Sequence, residues 1–250
     1  MAHSKQAQNT QAQGRIFYLL AGLIVVAGVA WLLLARGGES LGALPTPAEF
    51  ESIAATVEAD SSVGITMGLA SAPIEIMEFA DYSCPHCAEF TGFAGKLLRQ
   101  NYVEPADGPV RWVLYDFVLG GFPNTIPAAM AVRCAGEQGA YWPMHDLLFS
   151  RQRRWQTNPS PGGEFNDMAS DIGLDTGSFK ACMSEGRYIK QIAAARKYGD
   201  QLGVSSTPTL FIDGKQISFG TNEPYSYIEN LIKAELAGTG DGTTGDDGGS

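Results

Sequence analysis

Two cysteines two residues apart, Cys84 and Cys87, stand in the run Asp81-Tyr82-Ser83-Cys84-Pro85-His86-Cys87. Thiols at this spacing either exchange electrons as a dithiol and disulfide or hold a metal. A redox pair needs one sulfur exposed and held as thiolate, and a second within reach to resolve a mixed disulfide. At the opening of a helix the first sulfur lies by the unsatisfied N–H groups and the second is tucked into the first turn. Cys84 is then the expected nucleophile and Cys87 the resolving thiol. His86, between them after Pro85, would stabilise the Cys84 thiolate further if protonated or donating a hydrogen bond. The metal alternative lacks ligands: Cys134 and Cys182 stand singly, and there is no second close pair and no paired histidines. Haem attachment needs a histidine directly after the second cysteine, where Ala88 stands.

The elements that must position these thiols are an α/β set. Ile65 to Ala70 and Ile74 to Ala80 read as strands, the second nearly continuous in apolar residues as a buried central strand should be. The thiol pair sits at its carboxyl end. Phe90, Phe93, Leu97 and Leu98 mark the inner face of a following helix, and Val110 to Leu119 is the next strand, which completes a right-handed βαβ unit. From Gly120 to about Gly203 the pattern turns helical. Asn124 is placed to cap a helix through Gln138, and further helices are expected at Ala140–Ser150, Phe165–Ile172, Ser178–Met183 and Arg187–Leu202, the last with Tyr188, Ile192 and Ala195 inward. Strands return at Thr209–Ile212 and Gln216–Phe219 around an Asp213-Gly214 hairpin turn, and Pro224 to Leu236 is a closing helix.

Two features lie outside the motif but bear on it. Glu78, six residues before Cys84 on the feeding strand, could pass a proton to or from Cys87; an ordinary carboxylate at a strand edge is the alternative. Thr207-Pro208 opens a strand, as a plain turn or as a cis proline exposing backbone groups to an extended substrate.

The chain's ends and charge bound where such chemistry could act. Ile16 to Ala35 runs twenty residues without a charge, long enough to cross a bilayer, and Leu32-Leu33-Leu34-Ala35-Arg36 offers no clean signal cleavage site. Lys5 and Arg15 before the run against Arg36 behind it put residues 1–15 in the cytoplasm as a tail and the thiols outside. A cleaved signal peptide is the competing reading, and a buried helix of a soluble protein the third. Residues 36–62 are a linker and a short amphipathic helix, opened by the capping-box pattern Thr46-Pro47-Ala48-Glu49. Six glycines and three aspartates in residues 238–250 make that stretch a disordered acidic tail. A net charge of −10 argues against a nucleic-acid partner, and 44% hydrophobic residues suffice for one full-sized core.

Glu78, Cys84-Pro85-His86-Cys87 and Thr207-Pro208 together resemble the DsbA-like family of thioredoxin-fold disulfide oxidoreductases, over roughly Ile65 to Leu236. The resemblance implies an α/β thioredoxin fold in two parts, 63–119 and 204–237, with an inserted helical domain at 120–203. The 124 positions between Cys84 and Pro208, far more than one crossover needs, accord with that insertion. It implies an enzyme without cofactor, on the extracytoplasmic (periplasmic) side of the cell membrane, that introduces disulfides into reduced exported proteins. Cys84, Cys87, His86, Pro85 and Glu78 would be catalytic and Thr207 and Pro208 substrate-binding, with reoxidation by a membrane partner of the DsbB or VKOR-like kind. The same residues would serve a reductase or isomerase, and isomerase relatives carry threonine at the Thr207 position. Residues 36–62 are too few for the dimerisation domain of such isomerases. A non-redox chaperone or metal-binding module is the alternative of a different class.

Cys134 and Cys182, both in the helical stretch, are expected to form a structural bridge; a second redox pair or two free thiols are the other readings. His145 reads as a solvated helix position. Arg151, Arg153, Arg154 and Trp155 read as a solvated face or a contact for substrate or partner.

Overall fold

The computed structural model describes residues 44–218 and 224–239. The expected cytoplasmic tail, the anchor at 16–35, position 219 and residues 240–250 lie outside them. Among the described residues no helix is long and apolar enough to cross a membrane.

Thr46 and Glu49 cap each other's backbone N–H groups and start helix α1 (Pro47–Thr56), with Pro47 at its first position. Strands β1 (Ile65–Met67), β2 (Ile74–Ala80) and β3 (Val110–Asp116) follow, and after the helical region β4 (Thr209–Ile212) and β5 (Lys215–Ile217). They form one sheet in the order β1-β3-β2-β4-β5, with β2 and β3 parallel and the other pairs antiparallel. The turn between β4 and β5 is Asp213-Gly214, both at positive φ, as a two-residue hairpin of matched twist requires. β3 stops at Asp116 rather than Leu119 because β2, its partner, ends opposite at Ala80. β1 ends at Met67 rather than Ala70, where its pairing with Trp112 is the last.

Alternation along the strands divides the core into two clusters. Ile74, Ile76 and Ala80 of β2, Val110, Trp112 and Leu114 of β3, and Leu210 and Ile212 of β4 share one cluster with Cys84, Cys87 and Phe90. Met77, Phe79, Val113, Tyr115, Phe117 and Phe211 form the other, where Phe79 stacks on Tyr115 at 4.9 Å between centroids.

The helix after the thiols is not one regular cylinder. Helix α2 (Pro85–Phe90) passes into a π-helical turn at Thr91–Gly95, a short α-helical piece at Lys96–Leu98 and a second π-helical turn at Arg99–Val103. The wider i→i+5 turn shifts the phase of the side chains. Phe93, expected on the inner face with Phe90, is therefore turned outward and 63% exposed.

Helices α3 (Thr125–Gly136), α4 (Tyr141–Ser150), α5 (Gln152–Trp155), α6 (Gly162–Asp171), α7 (Thr176–Glu185) and α8 (Ile189–Gln201) lie between β3 and β4. Ten of the twelve residues of α3 are buried, and α4, α6 and α7 pack around it. A disulfide joins Cys134 of α3 to Cys182 of α7, so these are not free thiols. α8 starts after Tyr188 and lies against β3 and α1. Its Gly199 is required by close approach: a Cβ there would meet the Phe117 ring at 2.6 Å. Helix α9 (Pro224–Thr239) buries Ile228 and Ile232.

Three expectations for the helical region need correcting. Asn124 makes no side-chain cap; the two hydrogens of its Nδ2 are instead shared among the carbonyls of Trp155, Asn158 and Gln156 at 2.7, 2.8 and 3.1 Å. His145 is buried, because it falls on the face of α4 shared with Tyr141, Leu148 and Phe149. Trp155 offers no outer surface: it is wholly buried, its ring tilted against that of Phe165 at 5.5 Å between centroids, with Nε1 donating to the Leu148 carbonyl. Of its charged neighbours, Arg151 pairs with Asp171 and Arg154 with Glu164, while Arg153 is exposed.

Candidate active site

Cys84 is the N-cap of α2, in extended conformation, with Pro85 at the first helical position. Proline suits that place because the N–H it lacks would have no partner in the helix. The next N–H groups, of His86 and Cys87, are left facing the Cys84 sulfur, and both lower its pKa. Cys84 and Cys87 are both free and both buried, so the expectation of an exposed first sulfur needs correcting: Cys84 is 5% exposed.

β4 brings the second part of the site. Its antiparallel register sets Thr209 opposite Phe79, so the residues before it reach the carboxyl end of β2, where the thiols begin. There the Thr207-Pro208 peptide is cis. The Cys84 thiol points at the Thr207 carbonyl oxygen, 3.4 Å away. The Thr207 hydroxyl is buried without a hydrogen bond of ordinary geometry, yet it bears on both sulfurs and draws both pKa values down.

The two thiols are electrically unlike. A hydrogen bond from Cys87, helped by Thr207 and the two backbone N–H groups, outweighs burial and lowers the Cys84 pKa to about 5. Burial, and then the bond to Cys84, push Cys87 well above the ordinary thiol range. At neutral pH the pair thus holds one proton, on Cys87. His86 is exposed, with its Nδ1 3.9 Å from the Glu89 carboxylate, and it contributes to Cys84 through its backbone N–H.

Glu78 is buried in the middle of the sheet, opposite Leu114 of β3 and Leu210 of β4. Alternation places it on the face with Ile76 and Ala80, in the layer that contains Cys84 and Cys87. Its Oε2 accepts from Trp112 Nε1 at 2.9 Å and its Oε1 has no hydrogen-bond partner. Burial pushes its pKa up to about 7, so it can give or take a proton near neutrality.

Sequence reasoning missed a second buried acid, Asp81. It accepts from the N–H groups of Ser83 and Leu119 at 2.7 and 2.9 Å and from Thr125 Oγ1 at 3.0 Å, tying the thiol loop to the exit of β3 and the start of α3. Burial raises its pKa to about 6, and the Cys84 charge adds to that rise. An acid at the apolar end of a strand was the available signal. His145 was missed likewise: its Nδ1 lies 3.1 Å from Tyr82 Oη, and burial holds its imidazole well below the usual range.

A cleft of about 560 Å³ opens beside the thiols, lined by His86, Phe90, Phe93, Thr207, Pro208 and Gln216 among others. Its walls are the turned-out Phe93 and the end of the hairpin.

The family model described as thioredoxin matches residues 60–234. The chain belongs to the thioredoxin family. Among relatives of this thioredoxin-family chain, the Na(+)/H(+) antiporter NhaA 3 of Salinispora tropica is 32% identical over 171 residues, 68% of this chain and 24% of the antiporter. The chain thus spans about a quarter of that relative. The disulfide bond formation protein D of Bacillus subtilis is 22% identical over 174 residues, covering 69% of this chain and 77% of that protein. Among solved structures, oxidised BdbD from Bacillus subtilis superposes with a TM-score of 0.63 at 20% identity, over 72% of this chain and 97% of that one. Wolbachia pipientis alpha-DsbA1 gives 0.61 at 20% identity, over 75% and 96%. The fold is therefore the DsbA-like form of the thioredoxin fold.

Proposed function

We propose that the chain is a thiol:disulfide oxidoreductase that passes disulfides to exported proteins through Cys84 and Cys87. The observation that carries this reading is the placement of two free thiols at the opening of α2, Cys84 as its N-cap with the sulfur 3.4 Å from the Thr207 carbonyl and Cys87 buried in the first turn, an arrangement that opposes their acidities. In the oxidised enzyme a substrate thiolate attacks Cys84 Sγ, the Cys84–Cys87 bond breaks, and its electron pair leaves on Cys87, which takes a proton. Glu78 supplies that proton, directly or through water. A second substrate thiolate then attacks the substrate sulfur of the mixed disulfide and releases Cys84 as thiolate. The substrate gains a disulfide and the enzyme holds the two electrons. A low pKa makes Cys84 a good leaving group, which favours this direction over reduction.

The cleft beside Pro208 receives the substrate chain, with the Thr207 backbone available to an extended segment. Support for an oxidising compartment comes from the Cys134–Cys182 bond, of a kind that persists outside the cytoplasm and here serves the helical region as a brace. The apolar run 16–35 anchors the domain to the membrane with its thiols outside, and a quinone-linked membrane protein of the DsbB or VKOR-like kind reoxidises it. The disulfide-forming relative in Bacillus subtilis accords with this assignment. The test is oxidation of a reduced, unfolded model protein by the full chain in its oxidised form. Stoichiometric disulfide transfer is expected, with none from Cys84→Ser; transfer by Cys84→Ser at the unaltered rate would overturn the mechanism.

A further inference from the structure

The loop that carries Cys84 exposes three consecutive carbonyls, at Tyr82, Ser83 and Cys84, in a place where all three residues are buried. Buried carbonyls must find donors. Two come from outside the α/β part of the fold. Gln152 Nε2 donates to the Tyr82 carbonyl at 2.8 Å and to the Cys84 carbonyl at 2.9 Å, and Gln156 Nε2 donates to the Ser83 carbonyl. A glutamine amide has two N–H donors. Both of those on Gln152 are spent on the loop.

The donors are themselves held. Gln152 is buried, and the spacing of four residues puts Gln156 on the same side of the chain. Asn124 grips the carbonyls of Trp155, Gln156 and Asn158, and Trp155 is locked in the core by its bond to Leu148. Within the loop the N–H groups of Ser83 and Cys84 are taken by the side chain and carbonyl of Asp81, the Ala88 N–H also reaches the Cys84 carbonyl at 3.2 Å, and the Ser83 hydroxyl is buried without a hydrogen-bond partner.

We propose that Gln152 and Gln156 are positioning residues for Cys84, which draw the three carbonyls toward the helical region and leave the Cys84 sulfur facing the N–H groups of His86 and Cys87. The helical region then has a part in the chemistry: α5 and the residue after it help set the acidity of a thiol 68 positions away from Gln152. Removing Gln152 frees the Tyr82 carbonyl and leaves that of Cys84 to the Ala88 N–H alone, and removing Gln156 frees the Ser83 carbonyl; their negative ends are then no longer held from the sulfur, so the thiolate becomes less favoured. This inference rests on the redox reading of Cys84, and its test separates the two.

Full-length chains carrying Gln152→Leu, Gln156→Leu and, as control, Gln138→Leu are reduced and titrated by the ultraviolet absorbance of the thiolate, then equilibrated with glutathione buffers. Gln138 also bridges backbone groups of the helical region, at Asp175, but touches nothing in the loop. The expected result is a Cys84 titration moved up by roughly half a pH unit or more in each loop variant, that is, about threefold or more in its acid constant. The equilibrium with glutathione shifts toward a less oxidising pair. Gln138→Leu loses stability but moves neither quantity. Gln156, only half-buried, supplies the variant if Gln152→Leu does not fold. An ordinary thiol titration in the unaltered chain would overturn the acidic Cys84 itself. An acidic Cys84 left unmoved by the glutamine variants would overturn the positioning role alone.

Discussion

The Cys84 sulfur and the Thr207 carbonyl oxygen stand 3.4 Å apart although 123 positions separate them in the chain. The contact joins the two halves of the sheet-forming sequence across the whole helical region. It also places one backbone acceptor and one hydroxyl beside the sulfur, and these are different things for the chemistry. The carbonyl accepts from a thiol, whereas the hydroxyl favours a thiolate.

Thr207→Val keeps the shape and the carbonyl but removes the hydroxyl. Both thiols lose an influence that lowers their pKa. The Cys84 titration is expected to rise by up to about one pH unit, with a parallel fall in oxidising power. Thiolate absorbance against pH reads it, and an unchanged or lower titration would show that the hydroxyl does not act on the sulfur.

Glu78 gives a prediction in stability as well as rate. Its folded pKa of about 7 lies above the ordinary 4.5. For a carboxyl raised on folding, the neutral form is favoured in the native state, so the contribution is fully present below the unfolded pKa and lost as pH rises from about 4.5 through 7. Glu78→Gln removes that loss while keeping an acceptor for Trp112. The variant should therefore gain stability over the parent with rising pH, reaching about 3 kcal/mol by pH 8 relative to pH 4. It should also slow disulfide transfer, because Cys87 loses its proton source. Denaturant unfolding at the two pH values checks the first part; a difference independent of pH would mean that Glu78 titrates as an ordinary acid.

The Cys134–Cys182 bond closes a loop of 48 residues between α3 and α7. Restricting an unfolded chain over that length is worth about 4 kcal/mol in the chain-entropy account. Replacing both cysteines by alanine should lower unfolding stability by about that amount and leave the Cys84–Cys87 equilibrium with glutathione where it was. A shifted equilibrium with stability intact would make this bond a second redox pair.

Much of this site could be read from the sequence because it is local or strongly patterned. Ile74–Ala80 and Thr209–Ile212 form strands with the expected bounds, since short apolar runs between turn residues leave little alternative. Asp213-Gly214 and Thr46 with Glu49 carry their geometry in their own side chains. Phe93 could not be placed so simply, because hydrophobic spacing assumes α-helical turns and the chain takes a π-helical one. Gln152 and Gln156 escaped for another reason: they sit in and beside a charged run, and nothing local tells a glutamine that satisfies distant carbonyls from one in water. His145 was legible in principle from its spacing to Tyr141, Leu148 and Phe149, but its polarity outweighed its position.

The equilibrium potential of the Cys84–Cys87 pair in glutathione buffers is the most direct measure of the proposed activity. A thiolate held near pH 5 beside a buried partner stabilises the reduced form, and the account predicts a potential of about −180 mV or higher, in the range of disulfide donors. A value of about −270 mV, that of a cytosolic reductant, would contradict it.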